Sequence, residues 1–155
     1  MIASSLNLDV RGVSGYIIGK HSNSSLPVWS SVFNGGVKLV NGDGPGEVED
    51  AIHKEVVHAA SDVMGRKGYT NWAVGMACAE ITDAVLNDMR LVMPVSTCLR
   101  GYAGVEHNVF LSVPSIVGAS GVKRVIDLEL NDLERKQIHA SANIVWEAQG
   151  IWNEV

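Results

Sequence analysis

The sequence predicts an α+β fold, with mixed or antiparallel twisted strands segregated from long helices. Three observations carry that prediction. Glu47 to Arg66 has apolar residues at helical spacing, three apolar stretches follow Leu91, and a capped helical pattern begins at Asn131. No internal repeat or low-complexity segment interrupts them, and residues 1–155 read as a single domain.

The elements follow in chain order. Val13 to Ile18 reads as a strand, and "GKHSNSSLPVW" (Gly19 to Trp29) begins with a polar turn that carries His21. Leu26 to Phe33 is a second apolar stretch, followed by a short strand around Val37–Val40. "NGDGPGE" (Asn41 to Glu47) is a loop, because Gly, Asn, Asp and Pro supply turn conformations. It lacks the G-x-G-x-x-G spacing of a phosphate cradle.

In the first long helix, Val48, Ile52, Val56, Ala59 and Val63 recur at steps of four, four, three and four, which marks one helical face. Arg66 and Lys67 suit its last turn and Gly68 its end. Thr70 reads as the N-cap of a second helix reaching about Met89, its apolar first half expected to be buried. "LVMPVSTCL", "VFLSVPSIVG" and "VKRVIDLEL" read as strands, the last two joined by the "GASG" hairpin. Pro94 and Pro114 mark edges, bulges or bends, since each removes a backbone donor. Asn131 and Glu134 form a variant capping box ahead of an apolar stripe of Ile138, Ala142 and Val145.

Composition excludes several classes of function. The chain has 155 residues and a net charge of −5, with no basic stripe, so no nucleic-acid partner is expected. Its apolar runs are far short of a membrane span, and the N-terminus lacks the pattern of a signal peptide. Cys78 and Cys98 form no disulfide framework, which predicts free buried thiols and a cytoplasmic location.

The histidines are the candidates for chemistry. His53 and His58 lie five residues apart, about 140° around a helix, and do not share a metal-binding face. With no H-E-x-x-H and no Cys-x-x-Cys, no metal site is expected. His53, His58, His107 and His139 read as surface or capping residues. His21 differs: its polar turn follows a strand and precedes an anchoring Pro-Val-Trp run, which can hold an imidazole at the rim of a cleft. No triad geometry can be inferred from the serines beside it, and G-x-S-x-G is absent.

"VSGYIIGKHSNSSLPVWSSV" resembles the catalytic-histidine segment of L-lactate dehydrogenases, whose usual form is G-E-H-G-D-S-S-x-P-V-W-S. The resemblance continues through "AIHKEVVHAASDVMGRKGYTNWAVG", "RLVMPVSTCLRGYAGVEHNVFLSVPSIVGASGV" and "SANIVWEAQ". It covers nearly the whole chain and implies a C-terminal substrate domain of the lactate/malate dehydrogenase type. In such enzymes hydride passes between NAD and the C2 carbon of pyruvate or lactate while a histidine exchanges a proton with the substrate oxygen. An imidazole suits that task because it titrates near pH 6.5 when unperturbed.

By position the resemblance implies that His21 is the acid/base. Thr70 would crowd the substrate's small side chain, and Val74 would lie beside the nicotinamide. The family's dinucleotide-binding domain, its two substrate arginines and the aspartate paired with the histidine match nothing in these residues; Asp9 and Arg11 fall on a different stretch.

The turn departs from the family's form at Lys20, Ser22 and Asn23. Lys20 sets a positive charge beside His21, Ser22 stands where Gly is usual, and Asn23 replaces a charged acceptor. Two readings follow. The chain is the NAD-dependent enzyme's substrate domain, inactive alone, or a non-catalytic truncated paralogue serving as an interaction module. Either implies a homo-oligomer or association with full-length subunits.

Overall fold

The computed structural model describes residues 1–21, 24–40 and 44–150. In chain order the elements are α1 (Ile2–Ser5), β1 (Val13–Ser14), β2 (Ile17–Gly19), β3 (Ser25–Pro27), β4 (Phe33–Asn34), β5 (Val37–Lys38), α2 (Glu47–Lys67), α3 (Trp72–Leu86), β6 (Leu91–Cys98), β7 (Phe110–Gly118), β8 (Gly121–Val125) and α4 (Asp132–Gln149). The fold is α+β, and each strand pairing among the described residues is antiparallel. A small sheet has the order β1-β4-β5. The larger runs β3-β2-β7-β6, with β8 also paired to β7.

The expected strand over Val13–Ile18 is divided between these sheets. β1 pairs with β4, whereas β2 pairs with β3 and β7. The break falls at Gly15, where an added Cβ would sit 3.2 Å from Val32 Cγ2, so the chain crosses a crowded point. Pro94 and Pro114 face each other across β6 and β7. The Pro114 carbonyl accepts from Ile126 N at 2.8 Å, so its missing N–H also points away from β6. The two prolines therefore occupy a rung that needs no hydrogen bond between β6 and β7.

α4 forms as its capping residues predict. The Asn131 side chain accepts from Glu134 N at 2.8 Å, and Glu134 Oε2 accepts from Asn131 N at 3.0 Å. Glu134 is buried, and its carboxylate also accepts from Ser30 N at 2.9 Å and Ser30 Oγ at 2.6 Å. These donors compensate a desolvated charge and tie α4 to the segment after β3. The helix lays Ile138 and Ala142 on Ile18, Leu26, Leu111 and Val113, the centre of the main core. Fully burying a residue such as Ile138 contributes about 1.5–3 kcal/mol. A smaller cluster of Ala84, Met93 and Val117 seats the end of α3 on the sheet.

α2 ends at Gly68, whose φ of 87° permits its N–H to reach Met64 O at 2.7 Å. The two helices α2 and α3 depart from expectation in their burial. Of the α2 stripe, Ile52 and Val56 are half-buried, but Val48 and Val63 are exposed. The first half of α3, expected to be buried, is exposed throughout, with Trp72 at 76% and Met76 at 72%. Nothing among the described residues covers this face. Cys78 and Cys98 are free but exposed, correcting the expectation of buried thiols. Cys78 lies on the uncovered part of α3, and Cys98 at the end of edge strand β6.

An uncovered apolar face of this kind drives association. Sedimentation velocity of the 155-residue chain should show concentration-dependent self-association, reduced by pairing Trp72→Glu with Met76→Glu. A concentration-independent monomer would contradict this.

Candidate functional site

His21 sits on the turn of the β2–β3 hairpin, of which Ser22 and Asn23 lie outside the described residues. The register is Ile17 with Pro27, Ile18 with Leu26, and Gly19 with Ser25. Side chains alternate between faces of a strand. Ile18 and Leu26 therefore point together into the core under α4, and the Ser25 side chain points the other way, to His53 of α2.

Both helices hold the hairpin by hydrogen bonds. Lys20 N donates to Ser141 Oγ at 3.0 Å, and Ser141 on α4 is buried. Ser25 Oγ and His53 Nε2 on α2 are hydrogen-bonded at 3.2 Å. Gly19 has φ +85°, and a Cβ there would sit 3.0 Å from Ser141 Oγ and 3.5 Å from Ile138 Cδ1. The conformation strains any other residue, and a Cβ fits only if Ser141 gives by a few tenths of an ångström.

A cavity of about 280 Å³ opens beside His21. Ile17, Val56, Val57 and Ala60 supply an apolar wall, while Lys20, His21, Ser25 and Ser112 supply the polar groups. His21 is exposed at its rim. Such a space suits a small molecule with an apolar end, whose polar end meets an imidazole able to exchange a proton. None of the described residues lining the cavity is Asp, Glu or Arg. Asp9 and Arg11 are paired with each other, Arg11 Nη2 to Asp9 Oδ2 at 2.6 Å. The arginine's hydrogen bonds hold the Asp9 carboxyl below its usual range.

A larger cavity of about 350 Å³ lies between the N-terminus, the hairpin and α2, lined by Met1, Val10, Tyr16, Trp29 and Ile52 among others. It is the more apolar space, but His21 does not line it, so the chemistry points to the smaller one.

The other expected site residues lie elsewhere. Thr70 is exposed in the connection between α2 and α3, and the N-cap of α3 is Asn71. Val74 is on α3 and 60% exposed. Neither lines the His21 cavity. Conversely, His53, read from sequence as a surface or capping residue, is half-buried and bonded to the hairpin. Its partner lies 28 residues away, a contact that helical periodicity cannot reveal. Among the described residues no group of His, Cys, Asp and Glu could hold a metal ion.

The described residues do not fit the phosphates of a dinucleotide. Gly44–Gly46 lead into α2, but Gly46 N already donates to Glu49 Oε2 at 3.0 Å. Glu47, Glu49 and Asp50 also place three acids in that first turn, where a phosphate would be repelled.

A family model described as lactate/malate dehydrogenase, alpha/beta C-terminal domain, matches residues 1–148. The chain is similar to L-lactate dehydrogenase A chains from Dissostichus mawsoni and Harpagifer antarcticus, 43% identical to each over 96% of its length. It spans about half of those relatives, 47% of each.

The geometry at Gly19 sets a prediction. Gly19→Ala should cost at least about 1–2 kcal/mol in urea unfolding, from the left-handed backbone alone. Unchanged stability would show that the turn relaxes and does not depend on the glycine.

Proposed function

The chain belongs to the lactate/malate dehydrogenase family through its alpha/beta C-terminal domain, and from that membership we propose that it is the substrate-domain half of an NAD-dependent L-lactate dehydrogenase. The observation that carries the reading is His21, held on a two-sided hairpin at the rim of a small, largely apolar cavity. In the proposed reaction His21 donates a proton to the ketone oxygen of pyruvate, and takes one from the hydroxyl of lactate in reverse. Val56, Val57 and Ala60 turn an apolar wall to the substrate and keep water from that side. Thr70 and Val74 are proposed to join the site from α3 and its approach, as the substrate's steric limit and an apolar neighbour of the nicotinamide.

The cofactor phosphates and the substrate carboxylate need groups these residues do not supply. The 155 residues contain no G-x-G-x-x-G turn, and no arginine is among the described residues lining the His21 cavity. We therefore propose that this stretch is inactive by itself and acts with a cofactor-binding half, as a homo-oligomer or with full-length subunits, in the cytoplasm.

The exposed apolar face of α3 also favours a second reading, a paralogue in which this domain serves as a non-catalytic interaction module.

Fusion of the chain behind the N-terminal half of one of the matching lactate dehydrogenase A chains separates the two. The fusion should oxidise NADH in a pyruvate-dependent manner, and His21→Asn should lower turnover by about 10²–10⁴-fold. A folded but inactive fusion would favour the interaction module. Turnover by the 155-residue chain alone, lost on His21→Asn, would contradict its proposed dependence on a second half.

A further inference from the structure

We propose that His53 is a positioning residue for His21, acting through the Ser25 hydroxyl. The inference rests on the reading of His21 as the proton-transfer group, but the clamp itself is a matter of geometry. Gly19 and Ser25 form the last rung of the β2–β3 hairpin, so the segment from Lys20 to Ser24 extends beyond it. Whatever fixes that rung fixes the base from which His21 projects.

The rung and its edge are gripped from opposite sides. On one side the buried Ser141 hydroxyl of α4 accepts from Lys20 N at 3.0 Å. On the other, the half-buried His53 of α2 meets Ser25 Oγ at 3.2 Å. The α2 groups that line the cavity, Val56, Val57 and Ala60, are apolar and give non-directional contact. A hydrogen bond is directional, so His53 sets the distance and angle between α2 and the rung. That matters for a proton donor, because a misplacement of about 1 Å can cost about 10²-fold in rate.

Amide hydrogen exchange on the 155-residue chain tests the clamp without calling on catalysis. Ser25→Ala and His53→Ala should each speed exchange roughly three- to tenfold across the hairpin amides, while the β6–β7 amides stay unchanged. The double variant should add little to either single one, and Ser25→Thr, which keeps the hydroxyl, should restore the parent rates. Unchanged hairpin exchange would overturn the proposal. So would acceleration spread through β6 and β7 that Ser25→Thr fails to reverse, since that reports general loosening.

In the active fusion, His53→Ala should lower kcat several-fold with KM within about twofold. An unchanged kcat would overturn the positioning role. If hairpin exchange behaves as expected but the unsubstituted fusion is inactive, the dehydrogenase reading fails, and with it the role of His53 in positioning a proton donor; the clamp alone stands.

Discussion

The β2–β3 hairpin has three residues in each strand, too few to hold its own register in water. Its geometry depends on being gripped between two helices. Period-two alternation sends Ile18 and Leu26 to the core under α4, leaving the Ser25 side chain for α2. Ser141 and His53 add one directional bond from each side. The buried Glu134, capping α4 and holding Ser30, fixes that helix relative to the chain just past the hairpin. His21 thus inherits its position from α4 and α2, elements that lie far from it in sequence.

That arrangement explains what the sequence made legible. The long helices, the β7–β8 hairpin and the Asn131 cap rest on local patterns and all form, although α3 starts at Trp72 behind an Asn71 cap and ends at Leu86, and β8 stops at Val125, short of the expected Leu130. His21 was marked by a polar turn between apolar runs and by its likeness to a dehydrogenase segment. The partition of Val13–Ile18 between two sheets rests instead on pairing with β4 on one side and with β3 and β7 on the other, which no local pattern contains. His53 was missed for the same reason, because Ser25 reaches it only through tertiary packing. The burial of α3 was misread because an apolar helix signals that some surface covers it, without saying which chain supplies that surface.

The exposed α3 face and the half-length match to relatives fit one account. Trp72, Val74 and Met76 lie uncovered on the helix whose start lies next to Thr70, while the His21 cavity has no carboxylate or arginine among its described lining residues. On the proposed reading, a cofactor-binding half covers the apolar face and completes the cavity. The same bond that ties α2 to Ser25 would then pass any displacement of α2 to the base of the His21 turn. The departures at Ser22 and Asn23 lie outside the described residues. Lys20 is among the residues that line the cavity.

On the proposed reading, these residues supply the proton-transfer group and a cofactor-binding half completes the site. The most direct measurement mixes the purified 155-residue chain with a separately produced N-terminal half of a matching A chain. Pyruvate-dependent NADH oxidation and exchange protection of α3 are followed together as one partner is titrated. The account predicts that both appear together and saturate at the same ratio. Protection of α3 without turnover, or neither signal at saturating concentrations, would contradict it.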